Sequence, residues 1–403
     1  MKRILGTFLL MIILLGVNIT YATEEIVESE QPVEEIPEII EIPKEEIIIV
    51  KAKVISIGEV YEEVIGDITD KVQKVKVEIK QGEHKGKKFD ATYILSYDID
   101  NKIMAYELSK GNTVFVQITE ENGEVQKVIV QDVIRQGHII WMILIFFAST
   151  IAIGRKQGLK AIAGLVVTIL AVFFIMIANI YKGYSPVLMS MGTSAFVIVI
   201  TFIIIAGLNK KSLTAAIGTI GGVLCAGLIS FVFGHFAKLS GGQEDAIMLS
   251  MSSGNIMFNF RELLFAGIVI AALGACMDVG MSIASALDEL KLKNPEMTWK
   301  ELIKSGMNIG GDVIGTMTNT LILAYVGGAL TLILLFMAND MSLTDIINKE
   351  TMAADAISAL AGSIGVLYTV PLTTITYALL NKEKTVYKKK PETITEGKRS
   401  LKL

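Results

Sequence analysis

The chain has 403 residues, 52% of them hydrophobic, and a mean hydropathy of +0.55. Several apolar runs reach the ~18 residues at which a stretch can cross a bilayer, which excludes an ordinary soluble globule. The net charge of −4 excludes little, because ten glutamates crowd between Glu24 and Glu46 while "KEKTVYKKK" carries a basic end.

Residues 1–22, "MKRILGTFLLMIILLGVNITYA", have a basic start, an apolar centre and a small residue at Ala22. That layout predicts a cleavable secretory signal, and an uncleaved anchor helix fits it as well. Either way, the segment after Ala22 is expected to be exported. Residues 23–46 are acidic and carry Pro32, Pro37 and Pro43, so self-repulsion and fixed dihedrals predict an extended linker.

From Ile47 to Arg135 the pattern changes. "IIIVKAKVISI", "VQKVKVEI", "FDATYIL", "NTVFVQI" and "EVQKVIV" alternate partly at period two, and "ENGE" signals a tight turn. The expected element over 47–135 is a small extracytoplasmic β-rich domain, OB-like on its strand count. "GEHKGKK" reads as a solvated hairpin tip, since no aromatic stacking platform accompanies it and an exported domain does not meet nucleic acid.

The helical domain is expected over 138–380, with spans near 138–154, 161–181, 187–208, 213–236, 261–285, 307–337 and 356–380. The sixth contains Gly327-Gly328, where an interruption is expected. With the first span entering from outside, the inner loops and the tail 381–403 hold 17 lysines and arginines against 4 in the outer loops. The positive-inside rule then agrees with the signal: N-terminal domain outside the cell membrane, tail in the cytoplasm. The expected fold is a membrane α-helical bundle of about seven spans behind the β-rich domain. Cys225 and Cys276 lie in apolar runs and read as buried hydrophobes, and His84, His138 and His235 form no ligand spacing.

Polar residues inside the apolar runs are the candidate site. Asn308, Asp312, Thr316 and Asn319 succeed one another at intervals of four, four and three, which puts them on one helical face. In the preceding span Asp278 is followed by Ser282 and Ser285 on one side. The spans run antiparallel, so the two aspartates reach similar depth and can face each other. An ionised carboxylate at membrane depth costs on the order of 3 kcal/mol unless it is paired or hydrated. No lysine or arginine lies close to either aspartate, so a bound cation, a held proton or a water-filled vestibule is expected. Such oxygen donors suit hard cations. The bland alternative places both near hydrated headgroups, with the amides and hydroxyls as interhelical glue. "GTIGGVLCAG", 218–227, reads as a close-packing face, and Arg261 and Glu262 as an interfacial pair.

"GACMDVGMSIASALDEL" and "GMNIGGDVIGTMTNTLILAYVGG" resemble the YibE/F-like family of bacterial membrane proteins across 138–380, and the β-rich domain resembles theirs too. The resemblance implies a permease, a family role that is itself loosely defined, and it covers Asp278, Ser282, Asp312, Asn319 and Tyr325. Family members often carry proline after the glycine pair; "GGALTL" has none, which weakens the case for a helix break there. Three functions are weighed as expectations. The first is a cation- or proton-coupled transporter of a small molecule or ion. The second is a non-transporting envelope or assembly protein whose β-rich domain meets a protein partner, with homo-oligomers fitting either. The third, an intramembrane aspartyl protease, meets mismatches at Ile309 and Met277, so no enzyme is expected.

Overall fold

The computed structural model describes residues 46–65, 68–95, 106–121, 124–242, 244–252 and 258–381. Apart from Glu46 and Asn381 at their edges, the expected signal, acidic linker and basic tail lie outside the described residues. The described residues form two compact units, divided after His138.

The first unit is a closed five-stranded barrel: β1 (Glu46–Ile65), β2 (Ile68–Ile79), β3 (Lys88–Ile94), β4 (Thr113–Glu121) and β5 (Glu124–Val133), in the order β1-β2-β3-β5-β4. All neighbours are antiparallel except β3 and β5, which pair in parallel at Thr92↔Ile129 and Tyr93↔Val130. This is the OB-like barrel expected from the strand count. Alternation builds it: in β4, Val114, Val116 and Ile118 point inward, beside Ala52, Val54, Val77 and Ile79. β1 keeps pace with its neighbour's curvature through irregularities at Val54/Ser56 and Ile57/Val60.

Asp70, Gln73 and Glu120 are polar yet buried in this unit, and Gln73 organises its surroundings. Gln73 is buried and donates to Leu108 O at 3.1 Å while accepting from Leu108 N at 2.8 Å. The amide thereby stands in for a strand and ties the β3–β4 connection to β2. "GEHKGKK" is a turn, as expected, with Gly82 and Gly86 at φ +85°, a conformation that favours glycine. His84 bends back from it to meet Glu120 and the edge of Phe89.

Among the described residues, six helices are long and apolar enough to cross a membrane. They are α1 (Gln136–Tyr181), α2 (Pro186–Ala206), α3 (Lys210–Phe236), α5 (Phe260–Lys293), α6 (Trp299–Gly328) and α9 (Glu350–Leu380). The shorter α4 (Glu244–Ser252), α7 (Leu330–Ala338) and α8 (Leu343–Asn348) lie between them. At 46 residues, α1 would be on the order of 70 Å long if straight. It is not straight: Arg155 has φ 48° and ψ −126°, and a Cβ on Gly158 would stand 2.1 Å from Thr150 O. Eight residues of continuous helix separate their ends by ~12 Å, so the chain doubles back at Arg155. The expected spans 138–154 and 161–181 are its two arms. The apolar helices and their lengths fit a multi-pass membrane protein.

α9 is the hub of the bundle, packing against α3, α5 and α6 through positions without bulk. A Cβ on Gly218 would meet Thr373 Oγ1 at 1.9 Å, and one on Gly222 would meet Thr369 Oγ1 at 1.8 Å and Gly365 O at 2.7 Å. Gly306 and Gly310 of α6 abut Thr374 and Val370, and Gly280 of α5 abuts Thr219. Lipid tails give helices no hydrophobic reason to associate, so close backbone approach and dispersion hold them. "GTIGGVLCAG" is therefore a packing face. α6 begins on a capping box, in which Thr298 accepts from Glu301 N and Glu301 accepts from Thr298 N. Between α6 and α7 only Ala329 leaves helical geometry, at φ −85° and ψ 0°, and its N–H still reaches Tyr325 O. The expected interruption at Gly327-Gly328 is a kink one residue further on, made without proline.

Candidate functional site

α6 has two unlike faces. Leu302, Gly306 and Gly310 are buried, and Val313, Met317 and Leu321 lean on the same core. Asn308, Asp312, Thr316 and Asn319 are exposed. At about 100° per residue, Asn308 stands some 200° around from Gly306, so the polar residues occupy the face opposite the packed one. The glycines of that face, Gly311 and Gly315, have nothing within 4 Å of an added Cβ.

α5 repeats the pattern. Cys276, Val279, Gly280 and Ile283 are buried, whereas Asp278 and Ser282 are exposed and Ser285 is half-buried. The two helices are antiparallel neighbours joined through the short connection after Lys293. Asp278 lies fifteen residues before that point and Asp312 thirteen after Trp299, which gives each about 20 Å of helix from the connection. The carboxylates are thus at matching height, on the outward faces of their helices. No hydrogen bond or ion pair among the described residues joins them to each other or to a basic group.

The hydroxyls of the stripe are committed locally. Thr316 Oγ1 donates to Val313 O at 3.0 Å and Thr320 Oγ1 to Thr316 O at 2.9 Å. With their protons spent on the backbone, they offer only lone pairs outward. The face therefore presents oxygen acceptors at one-turn intervals, broken only by amide N–H groups. Lys304 lies two turns from Asp312, ~12 Å along the axis, too far for a direct pair. A stripe of this kind can hold a hydrated cation, pass a proton, or accept hydrogen bonds from a polar solute. Among the described residues no group of three or more His, Cys, Asp or Glu is placed to hold a metal ion, and both cysteines are free thiols.

Two further carboxylates emerge from the fold. Asp355, half-buried on α9, is a neighbour of Tyr325 on α6. It falls one residue before the expected span 356–380, and no spacing in the sequence links it to Tyr325. Asp288 accepts from the buried Tyr377 hydroxyl at 3.0 Å, which fastens α5 to the end of α9. Arg261 and Glu262 do not form the expected pair. Glu262 accepts from Ser185 and Asn259, and Arg261 contacts His235 instead. Consecutive helix positions diverge by about 100°, so they cannot share a face.

The barrel carries a separate cavity of about 830 Å³ where β3 and β5 part, lined among others by Tyr93, Leu108, Asn112, Val130 and Asp132. At its rim Arg135 donates twice to Asp132, at 2.8 Å, which holds the Asp132 carboxyl below the ordinary carboxylate range.

No curated protein and no solved structure matches the chain. Two family models do: YibE/F-like protein over residues 142–383, and the YibE/F family N-terminal domain over 48–133. The larger match takes in both aspartates and every helix from α2 to α9, and the smaller takes in the barrel. This chain belongs to the YibE/F-like family.

Proposed function

We propose that the protein is a permease that moves a small hydrophilic solute or ion across the cell membrane, with Asp278 and Asp312 binding or relaying a cation or proton. The observation that carries this reading is the α6 stripe: Asn308, Asp312, Thr316 and Asn319 form an uncovered polar face on a helix long and apolar enough to cross a bilayer. Hydrocarbon is an unfavourable neighbour for such a face, and water or a bound cation is a favourable one. The lysine and arginine distribution supports a barrel outside the cell and a tail in the cytoplasm. On that topology the barrel receives a solute or a protein partner on the outer side.

The test is flux into proteoliposomes, followed with a pH-sensitive dye for protons and with ion-selective dyes for sodium, potassium and magnesium. Asp312→Asn and Asp278→Asn are expected to lower the wild-type flux at least tenfold while the protein remains monodisperse. Full flux in both variants would remove the aspartates from the mechanism.

The same outward exposure favours one other reading, a non-transporting assembly protein whose stripe is covered by another chain. A stoichiometric partner lost on Asn319→Leu substitution, with no flux of any tested ion, would establish that reading instead.

A further inference from the structure

At the end of α3 and the start of α5, away from the stripe, two features meet. One is an apolar groove of about 400 Å³ between α2, α3 and α5, lined among others by Met191, Leu224, Leu228, Phe231, Phe265 and Val269. The other is a pocket of about 570 Å³ lined by His235, Phe236, Lys238, Leu239, Ser240 and Arg261. They join at Phe265: its ring forms the groove wall, packs on Phe231 at 5.7 Å, and lies 5.9 Å from the Arg261 guanidinium. His235 is one helical turn beyond Phe231 on α3, so an apolar channel runs into a basic mouth.

Neither Arg261 nor Lys238 pairs with a carboxylate among the described residues. Two acids stand nearby without an ion pair to either cation: Glu262 accepts from Ser185 and Asn259, and Glu350 accepts from Ser240, at the pocket's edge, and from the Gly241 backbone. Arg261 gives one N–H to His235 Nδ1 at 2.8 Å, while its buried Nε finds no acceptor among the described residues. A guanidinium only donates, so Nδ1 accepts and the imidazole proton sits on Nε2, a further donor. The α3 C-terminal dipole offsets part of the positive charge but supplies no ligand for the guanidinium fork.

We infer that this is a binding site for one anionic glycerophospholipid, its phosphate held by Arg261 and Lys238 and one acyl chain lying in the groove. A groove alone would accept any tail. Cations with no carboxylate partner among the described residues select a headgroup with net negative charge, and arginine matches phosphate in two-point geometry.

The test uses the full-length protein, purified in mild detergent and offered phosphatidylglycerol or phosphatidylcholine of equal chain length, with retained lipid read by native mass spectrometry. Wild type is expected to keep one phosphatidylglycerol and little phosphatidylcholine. Arg261→Gln is expected to lose about five- to tenfold in retention, and Arg261→Lys less. Leu228→Trp, at an exposed groove position, is expected to weaken long-chain more than short-chain lipid. Equal retention of the two lipids by wild type would overturn the site, and that comparison needs no variant to fold. Displacement of lipid by inorganic phosphate at equal concentration, with Leu228→Trp silent, would assign the pocket to a free anion and overturn the lipid.

Discussion

Gln73 shows how much one side chain can organise. Its two hydrogen bonds with Leu108 span 35 residues of sequence inside an apolar barrel. Gln73→Ala leaves the Leu108 N–H and C=O buried without partners, at a cost of about 2 kcal/mol. Hydrogen exchange on the full-length protein should find the Leu108 amide exchanging faster than wild type by more than tenfold; unchanged protection would mean water replaces the side chain. At the barrel rim, Asp132 titrates below the ordinary carboxylate value of 3.8 because the Arg135 guanidinium stabilises its charged form. A depressed carboxylate contributes stability above its unfolded pKa and loses it as pH falls through the folded value. The contribution should therefore persist at neutral pH and vanish in strong acid. NMR titration should place Asp132 below 3.8 in wild type and higher in Arg135→Gln, and equal midpoints would discount the pair.

At the scale of the element, glycines distinguish packed faces from open ones. A Cβ on Gly222 would run into Thr369 and the Gly365 carbonyl, whereas one on Gly311 would meet nothing within 4 Å. Gly222→Val should destabilise the bundle by about 3 kcal/mol or more, while Gly311→Ala should change its thermal transition in detergent by little. If both variants melt alike, the α3–α9 contact does not clamp the bundle. Periodicity made much of this legible: it placed the four polar residues of α6 on one face, and alternation in "VQKVKVEI" marked inward and outward positions of β2. The Thr298–Glu301 cap has the Thr-x-x-Glu spacing of a capping box. Three features were not legible. The reversal at Arg155 is made by a non-glycine residue in an unusual conformation. Glu244–Ser252 is a short helix within a loop-like run. Asp355 acquires its neighbour Tyr325 only through the tertiary packing of α6 on α9. Periodicity says which residues share a face, and packing alone decides what that face meets.

For the whole molecule, packing and exposure divide along one line. α9 gathers α3, α5 and α6 through glycine and threonine, and the carboxylates of α5 and α6 are left on the outward faces at equal height. A permease surface on α6 requires water along Asn308, Asp312, Thr316 and Asn319 within the bilayer. That requirement can be measured directly. In a background with Cys225→Ala and Cys276→Ala, single cysteines replace Thr316 and Asn319, with Ile145→Cys as an apolar exposed control on α1. Labelling intact membranes with a water-soluble, membrane-impermeant thiosulfonate should modify Thr316→Cys and Asn319→Cys at least tenfold faster than Ile145→Cys. Rates as slow as the control at both positions would mean the stripe is dry, and would contradict the proposed pathway.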